Sequence, residues 1–163
     1  DTLPHAAPEL VTGGHHFSQI AAGPTTCGLE LNGSIYCWGW NGQGVLGIGS
    51  TDTLPHPTPT LVPGTSGYVQ ITVGQHHACG RTSTNAVFCW GKNSLGELGT
   101  NDLLPHYSPT AVVSAPPFIS VSAGLIATCG VTMPCRATSS LMATYSRTPP
   151  PRPPHSTGTS GPT

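Results

Sequence analysis

A chain of 163 residues is long enough for one domain of ordinary size. Charged residues make up only 7% of it and the formal net charge is −1, which leaves no electrostatic footprint for nucleic acid or an anionic membrane. No apolar run approaches the roughly 18–20 residues that cross a bilayer, and the start at Asp1 shows neither an initiator Met nor a signal-peptide pattern, so the chain reads as a fragment without a membrane span.

The 21 Gly and 18 Pro are interleaved with aliphatic and aromatic residues at regular intervals, which predicts many short strands joined by tight turns. Residues 1–16 carry Leu3-Pro4-His5 with Pro8, the end of a preceding repeat. Phe17 to Gly23 alternates large and small residues and predicts a strand. Cys27 to Leu31 and Ile35 to Trp38 predict two more, with Asn32-Gly33 in the hairpin between them. The next stretch is Tyr36-Cys37-Trp38-Gly39-Trp40-Asn41, followed by Gly44, Leu46 and Gly47. A Pro-rich segment with Leu54-Pro55-His56 and Pro59 then predicts an edge or a connection, since Pro cannot donate to a sheet ladder.

The whole series then begins again. Tyr68-Val69-Gln70-Ile71 to Gly74 and Phe118-Ile119-Ser120-Val121 to Gly124 repeat the first strand at steps of 51 and 50. Phe88-Cys89-Trp90-Gly91-Lys92-Asn93, with Gly96, Leu98 and Gly99, repeats the Cys-Trp-Gly stretch at a step of 52. Leu104-Pro105-His106 with Pro109 repeats the Pro-rich element. Ser83-Thr84-Asn85 stands where the first copy has its hairpin loop, and Gly33 and Asn85 both fall at a loop position that needs a left-handed residue. The units are 17–67, 68–117 and a truncated 118–132, and no helical stripe is visible.

The pattern Cys-Trp-Gly-x-Asn-x-x-Gly-x-Leu-Gly resembles the regulator of chromosome condensation repeat, over about residues 1–132. The resemblance implies an all-β fold, here a partial β-propeller of about 51-residue repeats. Within it Trp38 and Trp90 would fill space between neighbouring sheets. Gly39, Gly44, Gly47, Gly91, Gly96 and Gly99 would permit tight turns and close approach. Asn41 and Asn93 would hold a turn, and Leu46 and Leu98 would return to the core. The third unit loses the pattern after Thr132, and 133–163 is a Pro/Ser/Thr-rich tail that cannot bury enough apolar surface to order itself. Two accounts stay open for it: a reading frame or splice that departs from the repeat, or an ordinary disordered tail.

Cys27 and Cys37 are ten residues apart, as are Cys79 and Cys89. Around three-residue hairpin loops each pair falls directly opposite on adjacent strands, close enough for a disulfide. Two such pairs predict an oxidising compartment, hence a secreted or cell-surface protein. The Cys-bearing repeats also resemble secreted or surface bacterial relatives more than nuclear ones. Cys129 and Cys135 have no assigned pairing.

His76-His77-Ala78-Cys79 is the one metal-like cluster, but the first unit has Thr25-Thr26-Cys27 in its place, so no metal and no cofactor is expected. His15-His16 reads as a solvated loop pair, and His5, His56 and His106 as solvated residues of connecting loops that could line one surface. Asp52 and Asp102 recur at related places and read as turn residues. No nucleophile elbow, phosphate loop or metalloprotease motif is present in the sequence, so no catalytic residue is assigned.

The function expected is a non-catalytic module that binds an unknown protein partner. It would not bind nucleic acid, and it would need the missing repeats of its own propeller. Two alternatives remain: a guanine-nucleotide-exchange or chromatin regulator, as the nuclear founder of the family implies, and a propeller lyase or hydrolase whose site lies elsewhere. Two to three repeats cannot close a ring, so the isolated fragment is expected to be marginal or prone to aggregation.

Overall fold

A computed structural model of the chain describes residues 10–113 and 117–132, and every regular element among them is a strand. The first sheet holds β1 (Phe17–Ala22), β2 (Thr25–Glu30), β3 (Ile35–Gly39) and β4 (His56–Leu61). The second holds β5 (Tyr68–Val73), β6 (His77–Thr82), β7 (Val87–Gly91) and β8 (His106–Ala111), and the third β9 (Phe118–Ala123) and β10 (Thr128–Thr132). Both four-stranded sheets are antiparallel meanders in the orders β1-β2-β3-β4 and β5-β6-β7-β8.

Local chemistry sets each strand. The inner pair β2 and β3 is buried along most of its length, while β4, with Pro57 and Pro59, lies at the sheet edge where missing N–H groups are tolerated. Of the two readings, edge or connection, the segment is the edge, a fourth strand, and β8 repeats it. The hairpin between β2 and β3 turns through Gly33 at φ 82°, and that between β6 and β7 through Asn85 at φ 65°, as the loop requires. The second strand starts earlier than predicted, at Thr25, and Leu31 sits 88% exposed in the turn rather than in the strand.

The aromatic that opens each sheet lies across a glycine of the neighbouring strand. A Cβ added at Gly28, Gly80 or Gly130 would come within 2.5–2.6 Å of the ring of Phe17, Tyr68 or Phe118. This explains why Gly follows Cys in all three copies.

The densest contacts between sheets run from β1 and β2 to β5, and from β5 and β6 to β9. The sheets thus converge along their first strands and splay toward β4 and β8, the fan of β-propeller blades. The apolar core lies between blades. Leu29, Ile35, Val45, Leu46 and Val62 of the first pack with Tyr68, Ile71, Ala78 and Trp90 of the second. Leu98 and Val87 of the second pack with Phe118 and Val121 of the third.

A polar zip fastens the convergent edge. The Gln19 amide donates to Ile71 O (2.9 Å) and its Oε1 accepts from Ile71 N–H (3.1 Å), so one side chain pairs both main-chain groups of the next blade. Gln70 does the same to Val121, at 2.9 and 3.1 Å. Gln70→Ala leaves both Val121 groups without their partner and should cost about 1–3 kcal/mol, read as a lower urea midpoint for the described blades.

Residues 1–9 and 114–116, and the expected disorder of 133–163, lie outside the described residues.

Candidate functional site

The connection from β3 to β4, residues 40–55, and that from β7 to β8, residues 92–105, leave the same end of their blades and form one loop face. An asparagine organises each. Asn41 Oδ1 accepts Leu46 N–H at 3.2 Å, and the Asn41 carbonyl accepts Gly44 N–H at 2.9 Å. Asn93 Oδ1 accepts Leu98 N–H at 3.0 Å, and its carbonyl accepts Gly96 N–H at 3.0 Å. Gly44 and Gly47, like Gly96 and Gly99, sit at φ between 67° and 79°, which keeps larger residues out. Asn41 and Asn93 are both fully buried, as Leu46 is, and Leu98 is 1% exposed.

The amide group of each Asn reaches across the loop to an aspartate. Asn41 Nδ2 donates to Asp52 at 3.0 Å, and Asn93 Nδ2 donates to Asp102 at 2.9 Å. Each aspartate caps the following turn, at Leu54 N–H (3.0 Å) and Leu104 N–H (3.1 Å). Each also holds a histidine, His56 Nε2 at 3.0 Å and His106 Nε2 at 3.1 Å. The turn role of the aspartates is visible here. The histidines differ from expectation: they open β4 and β8 and are tied to Asp rather than lying loose in loops. The signal was in the sequence, since Asp precedes His by four residues in both copies.

Hydrogen bonds from Asn41 and then His56 hold the Asp52 carboxyl below its ordinary 3.8. At Asp102 desolvation pushes upward, but hydrogen bonds from His106, Leu104 and Thr100 outweigh it, and the net direction is again down. Both aspartates therefore favour the folded state above the ordinary carboxylate range and lose that contribution as they protonate below it.

Blades are joined beneath this face. Trp90 is fully buried and its Nε1 donates to Val45 O of the preceding blade at 2.8 Å. A Cβ on Gly47 would lie 2.7 Å from that Nε1, so the Gly-x-Leu-Gly loop is the seat of the next blade's indole. Trp38, in the equivalent place of the first blade, is half-buried and stacks on Phe17 with ring centroids 5.6 Å apart. Gly39 and Gly91, at φ 108° and 106°, pass against the main chain of Pro24 and of His76.

The Cys27 and Cys37 sulfurs are at bonding distance with Cα atoms 4.1 Å apart, and so are those of Cys79 and Cys89, each pair directly opposite in register. Cys129 is a free, exposed thiol.

His15 is not a solvated loop residue. Its Nδ1 is 2.9 Å from Glu30 Oε1, and its ring lies against Phe17 and Tyr36. His77 is fully buried, with Nε2 2.9 Å from Thr128 Oγ1 of the third blade. Among the described residues no three His, Cys, Asp or Glu converge as metal ligands.

Burial pushes His77 down to about 4 from its ordinary 6.5, against the pull of Glu97 and with lesser help from His76 and Lys92. The unfolded imidazole binds its proton near pH 6.5 and the folded one only near 4, so its contribution is complete above 6.5 and is lost as pH falls through that window. A shift of this size amounts to roughly 3 kcal/mol. The first blade carries Thr25 at the equivalent register position. His77→Thr should therefore flatten the pH dependence of the urea midpoint between 6.5 and 4.

Stacked antiparallel blades, the second locking Trp90 into the Gly-x-Leu-Gly loop of the first, define a repeat protein of the β-propeller class. The chain belongs to the regulator of chromosome condensation (RCC1) repeat family, whose profile matches residues 32–80 and 85–130. A second profile of the same description matches 68–97. The chain is 35% identical over 81 residues to the ultraviolet-B receptor UVR8 of Arabidopsis thaliana, covering 49% of this chain and 18% of the receptor. It is 30% identical over 95 residues to the probable E3 ubiquitin-protein ligase HERC3 of Homo sapiens, covering 56% of this chain and 9% of the ligase. Human WBSCR16 superposes with a TM-score of 0.67 at 23% identity, covering 77% of this chain and 33% of that one. Prp20p of Saccharomyces cerevisiae superposes with a TM-score of 0.62 at 20% identity, covering 78% and 33%. The chain thus spans 33% of these solved propellers and 18% or less of these curated relatives.

Proposed function

We propose that this chain is a non-catalytic propeller segment that mediates protein–protein interaction, outside the cell or on its surface, together with further repeats of the same propeller. The observation that carries the reading is the loop face. Two copies of an Asn–Asp–His network spend the carboxylates on holding loops, and the loops so held present Leu54 and Leu104 at 68% and 67% exposure. Rigid loops with exposed apolar side chains are contact surface, where a reacting carboxylate would need its oxygens free. The two Cys pairs support the extracellular part, because such bonds persist in oxidising compartments. The propeller Prp20p, whose binding to Gsp1p and histones has been characterised, shows that the fold can serve binding.

The test is a paired capture from extracellular medium with the unaltered chain and a Leu54→Glu, Leu104→Glu variant. Exposed substitutions of this kind should move stability by no more than about 0.5 kcal/mol. A protein crosslinked to the unaltered chain and lost from the variant, with equal urea midpoints, is the expected result. Equal capture by both would remove the loop face from the reading.

A further inference from the structure

The first blade holds a ring in a seat that the second blade leaves open. The imidazole of His15 lies against Phe17 and Tyr36, with ring centroids 5.2 and 4.4 Å away, and its Nδ1 sits 2.9 Å from Glu30 Oε1. Phe17 and Tyr36 are themselves 6.3 Å apart at an interplanar angle of 59°. One repeat later the aromatic pair is Tyr68 and Phe88, 5.9 Å apart at 60°, so the walls of the seat have nearly the same shape. Its filling differs. Ser66 precedes Tyr68 by two residues, as His15 precedes Phe17. Thr82 pairs with Tyr68 across the ladder, as Glu30 pairs with Phe17.

The exchange of His15 for Ser66 leaves space. A groove of about 200 Å³ opens there, and its lining includes Ser66, Tyr68, Thr82 and Phe88, the counterparts of all four residues of the filled seat. Pro63 and Pro109 add apolar wall, and none of the lining side chains is charged. Pockets for drug-sized ligands run to roughly 300–1,000 Å³, so this one has room for one or two rings and little more. Thr82 and Phe88 flank the β6–β7 hairpin, which places the groove at the end of the blades away from the 40–55 and 92–105 loops. The inference drawn from it stands whether or not that loop face binds a partner.

We infer that this groove is a binding site for a free small molecule, a neutral heteroaromatic ring with a ring N–H, of which imidazole is the pattern. The flat ring stands against Tyr68 and Phe88 as the ring of His15 stands against Phe17 and Tyr36, in the tilted and stacked contacts that aromatic groups favour. Its N–H donates to Thr82 Oγ1. That oxygen gives its own proton to the Ala86 carbonyl at 3.3 Å and accepts from Thr84 Oγ1 at 2.9 Å, which leaves one lone pair for the ligand. With Thr82 in place of Glu30, no carboxylate offsets the desolvation of a cation, so the groove selects the uncharged ring. Burial pushes Tyr68 up to about 12, so its phenol adds no charge to the site.

The probe is 4-methylimidazole, added to the oxidised full chain at about pH 8, where an imidazole is largely neutral. The aromatic NMR signals of Tyr68 and Phe88 should shift and saturate, with a dissociation constant on the order of 1 mM, as suits a ligand of so few atoms. The N-methylated form of the probe has no N–H to give and should bind about fivefold more weakly or worse. A Ser66→His, Thr82→Glu variant rebuilds in the second blade the filled seat of the first. It should keep or raise the urea midpoint and lose the response of Tyr68 and Phe88 to the probe. The comparison of the two probes needs no variant, so it decides the matter even where the substitutions disturb the fold. Absence of saturable shifts at Tyr68 and Phe88, equal binding of the two probes, or undiminished binding by the folded variant would overturn the inference.

Discussion

Trp90→Ala should lower the stability of the described blades by about 3–5 kcal/mol, the cost of a large core truncation. Two losses add. The indole is fully buried in the cluster that joins the first blade to the second, and its departure leaves a cavity there. It also strands the Val45 carbonyl, itself in a fully buried residue, without its 2.8 Å donor. Trp38→Ala is the control within the same molecule. Trp38 occupies the same repeat position but is half-buried against Phe17, and its truncation should cost less than half as much. Urea denaturation of the oxidised chain, followed by far-UV circular dichroism, measures both. Equal losses would mean that the two blades do not share a core in the way the structure places it.

The second large effect is expected from reduction. Each Cys pair closes a hairpin between residues ten apart, and in the chain-entropy model such a link contributes about 2–3 kcal/mol. Together the two are comparable with the whole stability of many small domains, about 5–15 kcal/mol. Dithiothreitol should shift the urea midpoint far to the left or abolish the transition. A thiol titration gives the direct count. In denaturant without reductant at most Cys129 and Cys135 react, and after reduction all 6 cysteines do. Reaction of all of them before reduction would remove the crosslinks, and with them the argument for an oxidising compartment.

Much of the repeated signature was legible in the sequence because its residues meet the main chain locally: Asn41 and Asn93 inside their turns, and the left-handed glycines of the Gly-x-Leu-Gly loops. The left-handed positions Gly33 and Asn85 were legible for the same local reason. Contacts between blades were not. Gln19 and Gln70 look like ordinary outward residues of an alternating strand, and only the angle between sheets brings their amides onto Ile71 and Val121. The third copy has Ser120 at that place, which further masked the pattern. His15 was misread for a similar cause, since Glu30 is its neighbour only after β1 folds onto β2. Four-stranded blades were only half visible, because Pro57 and Pro59 read equally as an edge strand or a connection, and the choice rests on Tyr36 and Cys37 offering β4 a ladder.

The family repeat and the folded sheet are out of phase. The stretches that match the family begin and end near the β2–β3 and β6–β7 hairpins, so that Cys79 closes one stretch, 32–80, and Cys89 opens the next, 85–130. The second crosslink therefore joins the two consecutive stretches that match the family repeat. A copy gained or dropped by unequal crossing-over at those hairpins would inherit one sulfur and depend on its new neighbour for the other. Cysteines in such an array are expected to be won and lost as matched couples across unit borders, and a border that breaks the rule should expose a reactive thiol.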